Sequence, residues 1–286
     1  MREKLRELIH IGGLSHLSEQ LESLMLDSIR AITQRVDNES EISIGASKLG
    51  GLPDLPSEID WPIWNNIPLA FIAQINLAEV KAYDVDNVLP SAGMLYFFND
   101  AEQPWGGSLE DRGRWKVIFY DGGAGLERKS APTVLPSDGY FNPCSIEFSN
   151  EATLPPTDSN YKSTYKIGLL EITEQDYEAL WALKPKLYGH GPNHSLLGHA
   201  DVIQTPDMEL ACQLLSNGIQ FGIGYKDPRF AELREGAKDW RLLFQVDTDD
   251  GANMMWGDVG RIYYWIRRQD LQARNFDKVW LILQCY

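Results

Sequence analysis

The chain has 286 residues and a formal net charge of −15 at pH 7, so its overall field repels a phosphate backbone and makes nucleic acid a poor expected partner. Hydrophobic residues make up 43% of the chain and aromatic residues 11%, which supplies enough apolar surface for a folded globular protein. The three scattered cysteines exclude a disulfide scaffold, and the charged N-terminus and the lack of an apolar run of about 18 residues predict a cytoplasmic protein with no membrane partner.

The first predicted element is a helical segment over residues 1–36 that breaks at Gly12–Gly13. Its apolar residues recur near the i, i+3, i+4, i+7 spacing of one helical stripe. They are Leu14, Leu17, Leu21, Leu24, Met25 and Ile32. Such a stripe normally packs on the parent fold, so we expect these helices to pack on the domain; dimerisation or membrane-surface binding is the alternative.

Residues 37–130 are predicted to form mostly sheet. Short β-prone runs, PLAFIAQIN, GMLYFFN and RWKVIFYD, are separated by turns rich in glycine and proline. Residues 131–170 continue with a proline-rich connection and further strands. We interpret this connection as an elaborated edge of the sheet, with a linker as the alternative.

Residues 171–286 begin with helices and end with strands. Capping signals predict three helices, at Thr173 before EQDYEALWAL, at Thr205–Pro206 before DMELACQLL, and at Asp227–Pro228 before RFAELRE. Strands are then predicted in RLLFQVDT, GRIYYWIRR and KVWLILQCY.

The two parts of the chain share three motifs in the same order. Each part has a Leu-Gly turn, a strand ending Gln-x-Asn or Gln-x-Asp, and a glycine-led strand that bears tyrosine. The pairs are KLGGLPDL (Lys48–Leu55) with LLGHADVI (Leu196–Ile203), PLAFIAQIN (Pro68–Asn76) with WRLLFQVD (Trp240–Asp247), and GMLYFF (Gly93–Phe98) with GRIYYW (Gly260–Trp265).

These repeats predict an α+β fold with internally duplicated, mostly antiparallel sheets and flanking helices. The whole chain, 1–286, is predicted to form one domain, with a first repeat at 37–130 and a second at 171–286. Chance similarity between strands, which share a restricted alphabet, is the alternative.

Signatures of catalysis are weak. No G-x-S-x-G elbow occurs, and SKLGGLPDLPSEIDWP is no phosphate loop, because Lys48 precedes the glycines and three prolines remove backbone N–H donors. A zinc site is one interpretation of the three nearby histidines, His190, His194 and His199, but Gly191–Pro192 breaks any helix that would align them. A turn with surface or capping histidines is favoured.

The acidic run QVDTDDGANMMWGD offers carboxylates that suit an oxygen-preferring cation such as calcium or magnesium. The candidate ligands are Asp247, Asp250 and Asp258. The EF-hand pattern does not fit, because Gly251 comes one position early and a strand rather than a helix leads in. The alternative is a solvated hairpin turn with no cofactor.

Four of the nine tryptophans stand beside Asn, Asp, Gly or Pro rather than within an apolar strand: Trp61, Trp64, Trp105 and Trp256. Tryptophan offers a large rigid surface and one hydrogen-bond donor, so it suits stacking on a sugar ring or anchoring a partner protein. Such residues equally suit loops that fold back on the core.

These motifs together resemble the YwqG family, a bacterial domain of unknown function. The similarity runs from about Ser47 to the C-terminus, and it implies an α+β fold built by duplication and no reaction. Positions that match the family pattern are Gly50, Gly51, Pro53, Pro56, Trp61–Pro62, Gln74, Asn76, His194, Leu197, Gly198, Gln204, Gln245, Asp247, Trp256, Gly257, Asp258 and Gly260. One departure is His199–Ala200, where the family tends toward an aromatic residue followed by proline.

The candidate site lies at the strand ends, where Gln74 and Asn76 share one face of their strand, as do Gln245 and Asp247, because side chains alternate. We expect these residues to line a cleft where the repeats meet. The alternative is that they bond to turn backbone and tie the repeats together. The predicted ligand-binding residues are Gln74, Asn76, Trp61, Gln245, Asp247, Trp256 and Asp258.

The sequence therefore predicts a monomeric binding module for an unknown protein or small ligand. The alternative is a divalent-cation-assisted hydrolase that acts at the acidic strand end between Asp247 and Asp258.

Overall fold

The computed structural model describes residues 2–122, 125–159, 165–189 and 191–286. The α-helices in these ranges are α1 (Arg2–Ile11), α2 (Ser18–Leu24), α3 (Leu77–Val80), α4 (Glu174–Tyr188), α5 (Met208–Ser216), α6 (Phe230–Leu233) and α7 (Arg268–Gln272). The strands are β1 (Leu26–Arg35), β2 (Lys48–Leu49), β3 (Asp54–Pro56), β4 (Ile63–Trp64), β5 (Ile67–Pro68), β6 (Ala70–Asn76), β7 (Met94–Asn99), β8 (Trp115–Tyr120), β9 (Leu126–Arg128), β10 (Cys144–Thr153), β11 (Thr157–Ser159), β12 (Tyr165–Ile167), β13 (Leu170–Ile172), β14 (His194–Leu197), β15 (Trp240–Asp247), β16 (Arg261–Arg267) and β17 (Trp280–Gln284).

A ten-stranded sheet organises the fold, in the order β17-β16-β15-β14-β1-β10-β2-β6-β7-β8. Every neighbouring pair in it is antiparallel. We call β10, β2, β6, β7 and β8 the first half-sheet, and β1, β14, β15, β16 and β17 the second half-sheet. The predicted α+β class with antiparallel sheets is therefore confirmed.

The two half-sheets fold toward each other and enclose the main core. Phe97 of β7 lies 4.9 Å from Phe244 of β15 and 5.0 Å from Tyr264 of β16, measured between ring centroids. The edge strands also meet, because the rings of Trp115 and Trp280 are 5.1 Å apart. Burying each of these large rings contributes on the order of 2–3 kcal/mol. The sheet therefore closes on itself, with β8 and β17 along the seam.

The helical prediction for residues 1–36 is correct as far as Leu24 and wrong beyond it. Residues 26–35 form β1, which pairs with β10 along its whole length, from Leu26 opposite Thr153 to Arg35 opposite Cys144. Ile29 and Ala31 are buried two residues apart, which is strand spacing. A short apolar pattern fits both the helical and the strand periodicity, and here pairing with a distant strand determines that the segment is a strand.

Strands are present in residues 131–170, as predicted, but Cys144–Thr153 is not an elaborated edge, because it forms β10 at the centre of the sheet, between β1 and β2. Ten residues of this strand pair with β1, so a stretch that reads as a connection holds the two half-sheets together. This strand is difficult to predict because its flanks are rich in proline and its buried and exposed residues alternate only partly.

The N-terminal helices pack on the domain, as predicted. Leu5 and Ile9 of α1 and Leu21 of α2 are buried in one apolar cluster with Leu180 and Leu183 of α4. This cluster covers the end of β10 and is separate from the main core.

The three predicted helices of the second part are present, although two start later than their capping signals. Thr173 caps α4, since its hydroxyl accepts a hydrogen bond from the backbone N–H of Asp176. Asp227 instead forms a local turn, because its carboxylate accepts from the N–H of Arg229 at 2.8 Å, and α6 begins only at Phe230. None of the helices in the described ranges combines the length and the apolar character that a membrane span requires.

Candidate functional site

Gln74 is fully buried at the end of β6 and joins two turns of the first half-sheet. Its Nε2 donates to the carbonyl of Ala46 at 2.8 Å, and its Oε1 accepts from the backbone N–H of Asp54 at 2.8 Å. The hydroxyl of Tyr96 on β7 donates to the carbonyl of Asp54 at 2.6 Å. Both ends of the amide are therefore occupied by protein groups.

The carboxylate of Asp54 is the centre of a buried charge cluster. Arg128 Nε lies 2.8 Å and Lys48 Nζ 3.3 Å from its Oδ1, and Lys48 also meets Glu39 at 3.0 Å. Burial raises the pKa of Asp54, but the hydrogen bonds from Arg128 and from the Gly45 N–H outweigh burial and leave this pKa below its ordinary value. Burial lowers the pKa of Lys48.

Gln245 repeats this arrangement at the end of β15. It is fully buried, its Nε2 donates to the carbonyl of Asn193 at 2.6 Å, and its Oε1 accepts from the N–H of Asp201 at 2.8 Å. The hydroxyl of Tyr263 on β16 donates to the carbonyl of Asp201 at 2.8 Å. Each glutamine thus bonds to the backbone of its own half-sheet.

Asp201 is also ion-paired with one arginine and one lysine, as Asp54 is. Arg261 Nη1 lies 2.8 Å from its Oδ2 and Lys184 Nζ 3.2 Å from its Oδ1, and Arg261 Nε lies 2.9 Å from Asp247. Sequence reasoning missed Asp54 and Asp201. Their signal was an acidic residue shortly after the Leu-Gly turn of each repeat, four residues after Gly50 and three residues after Gly198.

Asn76 and Asp247 occupy equivalent strand ends but bond differently. The side chain of Asn76 accepts from the N–H of Ala78 at 3.0 Å and so caps α3. The carboxylate of Asp247 accepts from the N–H of Asn193 at 2.8 Å beside Arg261. Both side chains serve their local turn.

His194 and Asp249 form a buried pair behind Asp247. The N–H of Asp247 donates to His194 Nδ1 at 3.1 Å, so the proton of the neutral ring is on Nε2, which lies 3.1 Å from Asp249 Oδ2. Burial raises the pKa of Asp249, but the hydrogen bonds from His194 and from Thr33 prevail and lower it to about 2. Because both side chains are almost fully buried, this pair stabilises the acidic turn.

Of the remaining predicted site residues, Trp256 lies in the main core, and Trp61 is half-buried against a separate apolar cluster. Trp256 is 1% exposed, and its Nε1 donates to the carbonyl of Asp247 at 3.1 Å. Trp61 donates to the carbonyl of Leu69 at 2.8 Å and packs edge-on against Phe98. The core interpretation therefore holds for both tryptophans.

The three candidate cation ligands are not assembled. Asp247 is ion-paired with Arg261, whereas Asp250 and Asp258 are exposed. Across the described ranges, no group of three or more His, Cys, Asp or Glu side chains is placed to hold a metal ion. Of the histidine set, His199 bonds to the carbonyl of Leu24, and His190 lies outside the described residues.

A cleft of about 620 Å³ opens along the seam where the edges of the two half-sheets meet. We call it the edge cleft. One side comes from β4 and β8 and the other from residues 276–280 and the end of α5. Trp115 and Trp280 form its floor; their N–H groups donate to the carbonyls of Val279 and Gly106. Trp64, which is half-buried, stands at one wall with the Arg114 guanidinium 5.0 Å above its ring.

The edge cleft carries a positive charge in a chain whose net charge is −15. Its lining holds one carboxylate, Asp277, and four cations: Arg112, Lys116, Arg267 and Lys278. Lys116 pairs with Asp277, and Arg267 pairs with Asp270 at 2.6 Å. Arg112 and Lys278 are exposed and take no ion-pair partner among the residues that the structure describes. Two cations therefore remain for a ligand.

The chain belongs to a family of unknown function. The family model described as "Domain of unknown function (DUF1963)" matches residues 47–285, which is the range over which the motifs predicted a resemblance to such a domain. No curated protein matches the chain.

Proposed function

We propose that this member of the DUF1963 family is a binding module that takes a small anionic ligand with an apolar or ring-shaped part in the edge cleft. The observation that carries the proposal is the excess of cations over carboxylates in that cleft, in a chain of net charge −15. The tryptophan floor offers the apolar part a surface, and Arg112 and Lys278 offer the anion two charges.

The expected electrostatic contribution is modest but measurable. A unit charge about 5 Å from an exposed ammonium or guanidinium group gains roughly 1 kcal/mol in water and more beside a protein wall. Reversing the charge of both Arg112 and Lys278 replaces two attractions by two repulsions. We therefore expect the affinity for a monoanion to fall by about tenfold or more.

The test uses 1-anilinonaphthalene-8-sulfonate as an anionic ring probe and N-phenyl-1-naphthylamine as its neutral analogue, in fluorescence titrations. Wild-type protein is compared with the double variant Arg112→Glu/Lys278→Glu and with the matched charge reversal Lys226→Glu, at an exposed lysine outside the cleft. We expect the double variant alone to bind the sulfonate more weakly than wild type. The affinity for the neutral probe should be the same in all three proteins. Equal binding of the sulfonate by all three proteins would refute it.

We also propose that the fold arose by internal duplication, with repeats at 37–130 and 171–286. The two glutamines with their Asp and Tyr partners support this, as does a β-bulge at the same place in β6 and β15. The turns after β2 and at the end of β14 agree as well. Positive φ occurs at Gly50 (64°) and Gly51 (69°), and again at Leu197 (61°) and Gly198 (70°).

The narrower resemblance to YwqG, a cytoplasmic location and a monomeric state remain proposals. So does the expectation that neither nucleic acid nor a membrane is a partner. The acidic composition supports the expectation about nucleic acid.

A further inference from the structure

A second cleft, of about 290 Å³, lies beside β15 and β16. We call it the side cleft. Its walls come from β1, β15, β16, the loop 83–88 and the first turn of α5. Within the described chain it shares no lining residue with the edge cleft. Because one water takes about 30 Å³ of liquid volume, the side cleft has room for a small metabolite.

Two N–H donors of the side cleft have no acceptor within the described part of the chain. Arg241 Nε and Trp265 Nε1 are both buried without a hydrogen-bond partner among the described residues. They come from adjacent strands, since Leu242 of β15 pairs with Trp265 of β16. Trp265 is only 2% exposed. A buried donor left unpaired costs about 1–3 kcal/mol, so such donors in native proteins normally meet an acceptor.

A second guanidinium group, that of Arg268, acts on Arg241. Burial, followed by the nearby positive charge of Arg268, lowers the pKa of Arg241, and the Asp86 carboxylate opposes this to a smaller extent. Lys238 adds a third cation to the lining. An anion placed among these groups would relieve the repulsion and accept from the free N–H groups.

The carboxylates of the side cleft are mostly committed elsewhere. Asp27 pairs with Arg2 at 2.8 Å, and Asp84 accepts from the backbone N–H groups of residues 88 and 89. Asp86 is exposed on its loop. Glu209 is half-buried, and burial raises its pKa to about 7, so that it is partly neutral near physiological pH. None of these carboxylates accepts a hydrogen bond from Arg241 Nε or Trp265 Nε1.

We propose that the side cleft binds a small oxyanion, the carboxylate or phosphate group of a metabolite. Arg241 and the indole N–H of Trp265 donate to its oxygens, and Arg268 at the rim supplies a second positive charge. The site is independent of the ligand proposed for the edge cleft, since the two clefts have separate linings.

The indole N–H of Trp265 reports directly on the side cleft. Its signal in a ¹H–¹⁵N spectrum is assigned with Trp265→Phe, and the protein is titrated with inorganic phosphate and with succinate at constant ionic strength set by sodium chloride. We expect a saturable shift of this signal with a Kd below about 10 mM for at least one of the two anions.

Variants give the proposal a second readout. Arg268 is exposed, so Arg268→Gln is expected to fold and to weaken binding about fivefold or more, since it removes one charge. Arg241→Gln should weaken binding further. The matched control Arg234→Gln removes an exposed arginine that stacks on Phe230, and it should change nothing. Lys278→Glu in the edge cleft should also leave this titration unchanged.

Each outcome is informative. Saturation by phosphate alone assigns the site to phosphate compounds, saturation by succinate alone assigns it to carboxylates, and saturation by both indicates a general oxyanion site. A shift of the Trp265 signal that does not saturate with either anion, or an unchanged Kd in Arg268→Gln, overturns the proposal.

Discussion

The buried amides at the strand ends give the sharpest test of what holds the fold together. In Gln245→Leu the side chain keeps its volume approximately but loses both polar atoms. The carbonyl of Asn193 and the N–H of Asp201 then remain buried without the partners that they have at 2.6 and 2.8 Å. Gln74→Leu removes the corresponding bonds to Ala46 and Asp54.

The size of the effect follows from the two unpaired backbone groups. Each costs about 1–3 kcal/mol when it is buried without a partner, so each substitution should lower the free energy of unfolding by roughly 2–5 kcal/mol. For a chain of this size, that corresponds to a fall in Tm of roughly 4–10 °C. The loss should be larger in Gln74→Leu, because Gln74 Nε2 also donates to the buried Asp54 carboxylate at 2.8 Å.

Urea unfolding followed by tryptophan fluorescence measures these losses, with equal m-values as the check that unfolding remains comparable. Gln272→Leu, at an exposed position of α7, is the control and should stay within about 0.5 kcal/mol of wild type. A loss below that margin in both Gln74→Leu and Gln245→Leu would refute the role of these amides in joining the turns of their own half-sheets. It would return these residues to the list of candidate ligand contacts.

Three further predictions concern titration and cations. The pKa of Glu209 is about 7 in the folded protein against an ordinary 4.5, so the contribution of this group to the free energy of unfolding is greatest below about pH 4.5 and is lost as pH rises through 7. In Glu209→Gln the free energy of unfolding should therefore be about 1–3 kcal/mol higher than in wild type at pH 8 and little changed at pH 4.5, as measured by urea unfolding at both pH values. The pKa of Asp249, about 2 against an ordinary 3.8, provides stability above about pH 4 that is lost as pH falls through 2; Asp249→Asn should cost about 2 kcal/mol at pH 7 and much less at pH 2. Millimolar calcium, magnesium or manganese should leave Tm unchanged relative to sodium chloride of equal ionic strength, because Arg261 already neutralises Asp247. A cation-specific rise in Tm that Asp258→Ala abolishes would instead support the hydrolase alternative.

The strands were largely readable from the sequence because their periodicity is local. The runs that became β6, β7, β15 and β16 alternate or cluster apolar residues between glycine and proline turns, and the structure places strands there. β1 and β10 were misread because their identity depends on each other. Neither run is strongly patterned, and each is a strand because the other pairs with it over ten residues.

The role of the strand-end residues was only partly predictable. Alternation correctly placed Gln74 beside Asn76 on one face, and the conserved order of motifs within the chain pointed to Gln245. The partners of the glutamines, Asp54 and Asp201, stand in the turns that each amide closes, so only the folded path of the chain brings them together. The edge cleft was not predictable, because Trp115 of β8 and Trp280 of β17 come from opposite ends of the sheet order.

The placement of β1 and β10 also determines how the molecule unfolds. β1 comes from the N-terminal segment but completes the second half-sheet, and β10 comes from the middle of the chain but completes the first. A fragment of residues 171–286 lacks β1 and would expose β14 as an unpaired inner edge, together with the face that Phe97 covers. We therefore expect this fragment to aggregate or remain unfolded, and the intact chain to unfold in one transition seen alike by fluorescence and circular dichroism. A soluble fragment with native-like strand content, or two separated transitions, would show that the second repeat is stable without the central pair.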